Sequence, residues 1–163
     1  MADTEGFEEF YTATVGRLLG VMYPVTGDLH EAEEIVQEAF ARASTRWSRL
    51  RNYDVPEAWV RRVAMNLAAD RGRRLQRQAR ALLRTGPPSS VPPASVEAMA
   101  LAEALRTLPM HQRQAIVLHH LVDLPVEEVA ATLATPTGTV KSWLARGRRT
   151  LAARLGDSEE VLS

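Results

Sequence analysis

The sequence contains no cysteine, and its twenty basic residues are nineteen arginines and one lysine, Lys141. Without cysteine the chain can form neither a disulfide scaffold nor a thiolate zinc site, and it has no cysteine nucleophile. It also lacks a run of about 18 apolar residues, the length that a membrane span needs, and its first residues are acidic, unlike a signal peptide. We therefore expect a soluble, cytoplasmic protein without membrane insertion.

Aromatic residues make up 6% of the 163 residues, whereas 45% are hydrophobic, which is within the globular range. At roughly 150 residues per domain, this length allows one ordinary domain or two small ones. Residues 85–95 contain four prolines, one glycine and three serines. Such a stretch cannot sustain a helix, so it predicts an exposed linker between two modules, with a long loop inside one domain as the alternative.

The net charge is zero, which taken alone argues against nucleic-acid binding, because that binding depends largely on neutralising phosphates. The charges are segregated, however. Residues 1–44 contain nine acidic and two basic residues, residues 45–84 contain three acidic and eleven basic ones, and five basic residues between Lys141 and Arg154 have no acidic residue among them. A GC-rich genome would explain the preference for arginine over lysine, but it would not explain this clustering.

Hydrophobic periodicity predicts helices in both modules. In the first module two segments follow the spacing of one buried helical face, and Gly27 and Asp28 separate them. A third helix is predicted from Pro56, with an apolar stripe of Val60, Val63, Ala64 and Leu67 and a second, basic side. Since no strand alternation is convincing, we predict an all-α fold of two small helical domains joined by a flexible linker.

The second module ends in a short helix around Glu127–Leu133, a tight turn at Ala134 and Thr135, and a longer basic helix over 136–155. Thr135 is the expected N-cap and Pro136 the first helical residue. One face has Val140, Leu144, Leu151 and Leu155; another has Thr139, Ser142, Arg146 and Arg149, with Lys141 and Arg148 beside them. This is the pattern of a helix-turn-helix that places its second helix in the DNA major groove, although an amphipathic surface helix with a solvated basic face would give a similar pattern.

Four segments, taken in order, resemble the extracytoplasmic-function (ECF, group IV) sigma factors of the sigma-70 family, and most closely the actinobacterial type. They are Glu33–Phe40 ahead of Arg46 and Trp47, Pro56–Asp70, Leu105–Arg113, and Thr137–Arg149. The resemblance implies sigma region 2 over 1–84, a linker over 85–95, sigma region 4 over 96–156, and an acidic tail over 157–163. Two departures stand out: Pro125 replaces a serine cap that is common in the family, and Ala134 replaces a glycine in the turn.

The resemblance also implies the function and its residues: a protein that binds core RNA polymerase and directs it to promoters by recognising −10 and −35 elements. Core-polymerase docking would involve Glu34, Ile35, Gln37 and Glu38. The −10 DNA would contact Asn52, Tyr53, Trp59, Arg62, Asn66, Arg73 and Arg77. The −35 DNA would contact Thr139, Lys141, Ser142, Arg146, Arg148 and Arg149. The implied partners are the β′ coiled coil and β flap of polymerase, promoter DNA, and an anti-sigma factor that nothing in the sequence identifies.

Two other classes of protein fit the sequence less well. An enzyme is disfavoured because the chain has no HExxH motif, no glycine-rich phosphate loop and no nucleophile elbow, and because a helix would point the adjacent His119 and His120 about 100° apart. We expect no cofactor and no metal. A helix-turn-helix regulator that never joins polymerase would not need the acidic helix and the arginine-rich helix of the first module.

Overall fold

A computed structural model describes the backbone of residues 4–79 and 95–162 and the side chains of residues 4–75 and 95–156. In these ranges the chain is helical, and no strand occurs. The helices are α1 (Phe7–Thr26), α2 (Leu29–Thr45), α3 (Trp47–Leu50), α4 (Pro56–Ala79), α5 (Val96–Leu105), α6 (Met110–Ile116), which continues as a π-helical turn (Val117–Leu121), α7 (Val126–Thr132) and α8 (Thr137–Leu162).

The chain divides into two compact helical units, as the sequence predicts. The first unit contains α1 up to Tyr23 together with α2, α3 and α4, and the second contains Pro24–Gly27 together with α5 to α8. Residues 85–94 of the expected linker lie outside the described residues. The expected acidic tail is helical in its backbone as far as Leu162, beyond the end that we predicted for the last helix.

Residues Gly27 and Asp28 separate α1 from α2 in the way that the sequence predicts. Gly27 has a φ of 74°, a left-handed conformation that glycine adopts without a steric penalty. Asp28 then takes the N-cap position of α2, where its Oδ1 accepts a hydrogen bond from the backbone N–H of Glu31 at 3.0 Å. This cap satisfies one of the N–H groups that have no partner within a helix.

An aromatic cluster holds the first unit together around Trp47. The indole is 5% exposed and stacks on Phe10 with ring centroids 5.0 Å apart, while the edge of Phe7 meets it at 5.6 Å. Phe10 also contacts Phe40 of α2 at 5.8 Å. The indole N–H donates to the backbone carbonyl of Glu5 at 2.7 Å, so this buried ring leaves no polar group unsatisfied.

Helices α2 and α4 pack against each other through the apolar stripes that the sequence predicts. On α4 the side chains of Val60, Ala64 and Leu67 are buried, whereas Val63 is half-buried. On α2 the buried residues are Ala32, Ile35, Val36, Ala39, Phe40 and Ala43. Exposed polar and charged residues such as Glu34 on α2 and Arg62 on α4 lie outside these stripes.

In the second unit, α8 packs on α6 and α7 around Leu108, Ile116, Leu118, Val129 and Leu144. Gly147 allows the close approach of α6 and α8, because a Cβ atom built there would lie 3.0 Å from Cγ1 of Ile116. The apolar stripe of α8 is shorter than we predicted. Val140 and Leu144 are buried and Leu151 is half-buried, but Leu155 is 60% exposed.

The helix-turn-helix is present as α7, a turn and α8. No side-chain hydrogen bond caps the start of α7 at Pro125, in agreement with the sequence. The prediction for Thr135 is wrong in detail: α8 begins at Thr137, and the Thr135 hydroxyl donates to the Leu133 carbonyl at 3.0 Å. Within the turn, Ala134 has a φ of 50°. A side chain there crowds the backbone, which costs about 1–2 kcal/mol for a residue other than glycine.

In the described segments no helix is long and apolar enough to cross a membrane. The same segments contain no group of three or more His, Asp or Glu side chains arranged to hold a metal ion.

The left-handed turn gives a stability prediction. We expect Ala134→Gly to raise the melting temperature, because it relieves about 1 kcal/mol of steric strain and loses only part of that gain to the greater entropy of the unfolded chain. Ala131→Gly, a control within helix α7, should lower it because helical glycine costs about 1 kcal/mol. Thermal unfolding of both variants followed by circular dichroism measures the difference; equal destabilisation by both would contradict the strain at Ala134.

Candidate functional site

The outer side of α2 presents the acidic residues that we predict to dock on polymerase. Glu34 and Gln37 are exposed and Glu38 is half-buried. The prediction for Ile35 is wrong: its side chain has 0% exposure, because it belongs to the buried stripe of α2. Ile35 therefore supports the acidic face from beneath and offers no surface to a partner.

An arginine of α4 reaches across to this acidic face. Nη1 of Arg71 lies 2.7 Å from Oε2 of Glu34 and 3.3 Å from Oε2 of Glu31, and its Nη2 lies 3.6 Å from Oε2 of Glu38. Arg42 pairs with the other oxygen of Glu38 at 2.9 Å. We call Glu31, Glu34 and Glu38 the acidic face, and Arg71 neutralises part of it.

The ion pairs change the pKa values of both partners. The hydrogen bond from Arg71 lowers the pKa of Glu34, and the nearby charges of His30 and Arg71 act in the same direction against the effect of burial. Burial lowers the pKa of Arg71, but the hydrogen bonds and charges of Glu34 and Glu31 outweigh burial and raise it. Both groups are therefore held in their charged forms at neutral pH.

Gln37 also has a partner within the unit. Its Nε2 donates to the hydroxyl oxygen of Tyr11 at 2.9 Å, and the Tyr11 ring meets Phe40 edge-on at 5.0 Å. The amide is thus held by α1 while it remains exposed on α2.

A basic stripe runs along the exposed side of α4. At 100° per residue, Trp59, Arg62, Asn66, Arg73 and Arg77 fall within about 60° of each other around the helix. Arg62 and Asn66 are exposed, and Trp59 is half-buried, so it contributes to the core and also meets solvent. Arg73 is exposed but forms an ion pair with Asp70, one turn earlier. The side chain of Arg77 lies outside the described residues.

The loop before α4 places an exposed aromatic ring at the start of this stripe. Tyr53 is 51% exposed, and its backbone N–H donates to the carbonyl of Leu50 at 3.0 Å. Asn52 is exposed, with its Nδ2 3.4 Å from the carbonyl oxygen of Ser48. The turn that follows α3 therefore fixes the backbone of the loop and leaves both side chains at the surface.

On α8, four of the six predicted −35 residues share one face. Thr139, Ser142, Arg146 and Arg149 fall within about 80° around the helix. Arg146 and Arg149 are exposed, whereas Thr139 and Ser142 are half-buried, nearer the start of the helix. Short polar side chains therefore lie near the start of α8, and long cationic side chains lie further along it.

Lys141 and Arg148 flank that face, as the sequence predicts: they lie about 80° and 100° around α8 from Arg149, at 100° per residue. Arg148 donates from Nε to Nε2 of His120 on the π-helical turn at 3.2 Å. Burial, together with the charges of His119 and Arg148, lowers the pKa of His120 and so favours the neutral acceptor that this hydrogen bond needs.

The sequence did not reveal several side-chain contacts that fix these surfaces in place. Trp143 of α8 stacks on His111 of α6, with ring centroids 5.1 Å apart and an interplanar angle of 11°. No pattern in the sequence marks that pair. For Arg71 a signal existed: it lies about 180° around α4 from Arg62, within the apolar stripe, where a charge is rarely found without a partner.

Chemically, the three surfaces suit binding rather than bond-making. The acidic face suits cations of another protein. The stripe of α4 and its loop combine guanidinium groups, an amide and aromatic rings, which suit single-stranded nucleic acid. The face of α8 suits the grooves and phosphates of a duplex.

Comparison with known proteins agrees with this division. Residues 10–78 match the family model described as Sigma-70 region 2, and residues 98–151 match the model described as Sigma-70, region 4. The RNA polymerase sigma-E factor of Streptomyces coelicolor is 31% identical, over 94% of this chain and 90% of its own length. The ECF RNA polymerase sigma factor SigW of Bacillus subtilis is 28% identical, over 95% of this chain and 91% of its own length.

A solved structure has the same fold. The sigma factor RpoE from Bartonella quintana, crystallised with the anti-sigma factor NepR, superposes with a TM-score of 0.69 over 92% of this chain and 96% of that one, at 22% identity. The two family models and the Streptomyces relative together cover both helical units in order. The chain therefore belongs to the sigma-70 family of RNA polymerase sigma factors.

Proposed function

We propose that this sigma factor is of the ECF, group IV, actinobacterial type, and that it works in the cytoplasm by joining core polymerase to promoter DNA through three separate surfaces. The observation behind the proposal is the segregation of charge: an acidic face on α2 and basic faces on α4 and α8. Covalent chemistry belongs to the polymerase, and this chain supplies binding energy and strand separation.

The acidic face docks on the β′ coiled coil. Glu34, Gln37 and Glu38 offer side chains to basic residues of that surface, and complementary charge speeds the encounter and sets the register. The match of residues 10–78 to sigma region 2 supports this assignment. We expect the second unit to meet the β flap, as the family resemblance implies, without assigning residues to that contact.

The stripe of α4 holds the melted −10 strand. Arg62 follows the backbone, Asn66 offers a donor and an acceptor to a base edge, and Tyr53 and Trp59 offer aromatic surfaces to unstacked bases. Arg73 extends the positive charge along the helix, and Asn52 adds an amide next to Tyr53 in the chain; Arg77 remains a prediction from the sequence. Arg73 must leave Asp70 before it binds a phosphate at full strength.

The face of α8 holds the −35 duplex. Thr139 and Ser142, near the start of the helix, reach base edges, while Arg146 and Arg149 contact phosphates. Lys141 and Arg148 flank this face, about 80° and 100° around α8 from Arg149, and have a supporting role in this contact. A regulator that never joins polymerase is the weaker candidate, because it has no use for the acidic face.

An anti-sigma factor is a further proposed partner. The Bartonella quintana structure was solved with such a protein bound to its sigma factor. An inhibitor that covered the acidic face or either basic face would block a contact that we propose for transcription. The direct experiment for the whole proposal is run-off transcription: core polymerase with this chain should start at a specific promoter, and core polymerase alone should not.

The docking assignment predicts the effect of a charge reversal. Glu38→Lys should weaken binding to core polymerase by about tenfold or more, because it places two like charges at the interface. Glu9→Lys, an equal charge change on the exposed side of α1, is the control and should leave the affinity within about twofold. Fluorescence titration of labelled protein with core polymerase measures both; equal affinities for the two variants would remove the acidic face from the interface.

The melting assignment predicts a defect in promoter opening. Arg62→Ala and Asn66→Ala should reduce permanganate reactivity of the −10 thymines by about tenfold, since each loses a hydrogen-bonded contact worth roughly 1–3 kcal/mol with the separated strand. Arg74→Ala is the control on the same helix, exposed but about 120° away from Arg62. Normal opening by both stripe variants would contradict the assignment.

The duplex assignment predicts a change in salt dependence. If about four to six phosphates are neutralised across both units, log affinity should fall against log salt with a slope of roughly −4 to −5. Arg146→Ala and Arg149→Ala should each make this slope shallower by about 1, whereas Arg154→Ala, further along α8, is the control. Holoenzyme binding to a −35 duplex at several salt concentrations measures the slopes, and unchanged slopes for both variants would contradict the phosphate role.

A further inference from the structure

The residues proposed to dock on polymerase already have partners inside the chain. Glu34 gives one carboxylate oxygen to His30 at 3.0 Å and the other to Arg71 at 2.7 Å. Glu38 likewise gives one oxygen to Arg42 and the other to Arg71. Both oxygens of each carboxylate are therefore engaged before any polymerase arrives.

Arg71 is the cation that these carboxylates share. Its guanidinium lies within 3.6 Å of Glu31, Glu34 and Glu38, and its side chain is only 24% exposed. Ion pairs in such a partly buried place are screened less by salt than pairs at the open surface. Arg71 extends from α4, so it is the one cation of this group that does not come from α2 itself.

We propose that Arg71 is a built-in competitor for the docking surface: its guanidinium occupies the place that a basic side chain of the polymerase takes, so docking is an exchange of ion pairs. The inference rests on the proposed docking role of Glu34 and Glu38. Arg71, on the helix α4 that we propose to contact the promoter, thereby sets part of the affinity of α2 for polymerase.

The charges give the direction of the effect. With Arg71 in place, the three carboxylates of the acidic face meet two guanidinium groups, those of Arg71 and Arg42. Without Arg71, like charges three, four and seven residues apart on one helix repel each other. A basic partner would then meet a stronger negative field and would also relieve that repulsion on binding.

The experiment compares Arg71→Met with the full-length wild type in binding to core polymerase at low and at moderate salt. We expect Arg71→Met to bind about fivefold more tightly at low salt, mainly through faster association, and the gain to shrink as salt rises. Arg17→Met is the matched control: it removes one positive charge and the 2.9 Å ion pair with Glu57, away from the acidic face. Unchanged or weaker binding by Arg71→Met overturns the proposal.

Two further measurements separate competition from simple structural support. In the Arg71→Met variant the pKa of Glu34, followed by NMR, should rise toward its ordinary value, and Glu34→Gln should remove most of the gain in affinity. If Arg71→Met does not fold, Arg71→Lys keeps a charge without the forked geometry and should bind polymerase about twofold more tightly than the wild type. The absence of any gain with Arg71→Lys would then overturn the proposal.

The outcomes also distinguish this inference from the function on which it rests. If Glu38→Lys leaves polymerase binding unchanged, the acidic face is not the docking surface and both proposals are wrong. If Glu38→Lys weakens binding while Arg71→Met fails to strengthen it, the docking surface stands and the competition by Arg71 is wrong.

Discussion

Each helix of this small protein must bury one apolar stripe, and the packing of α2 on α4 in the first unit shows how much depends on that constraint. A module of about 80 residues buries only about 60% of the surface of its unfolded chain, so it cannot hide charged groups as well. Ile35 of α2 and Val60 and Ala64 of α4 are buried in the unit. The charges that remain outside are sorted by helix, which separates an acidic surface from a basic one only a helix diameter away. The binding surfaces are therefore built from the charged residues that the apolar core excludes.

Much of this arrangement could be predicted from the sequence, because helical periodicity and charge are local properties. The separation of α1 from α2 at Gly27 and Asp28, the start of α4 at Pro56 and the two-unit organisation all follow from residues close together in the chain. The family was recognisable from four segments in order. One assignment failed: Ile35 was expected to contact polymerase, but its side chain is buried in the core of the unit.

The partners of the functional residues could not be predicted, because they depend on contacts between residues distant in sequence. Arg71 and Glu31 are forty residues apart, and the stack of Trp143 on His111 joins two helices. His120, on the π-helical turn, and Arg148, on α8, are 28 residues apart and share a hydrogen bond. A charged residue within an apolar stripe, such as Arg71, is the one signal that could have been followed.

Gly147 has a consequence for protein engineering. Because a Cβ atom at this position would lie 3.0 Å from Cγ1 of Ile116, a side chain there would require Ile116 to move by a few tenths of an ångström. A helix transplanted from another protein in place of α8 would therefore fit this scaffold best with glycine at position 147. A residue larger than alanine would press further on Ile116 and Leu108 and shift the grafted helix away from α6.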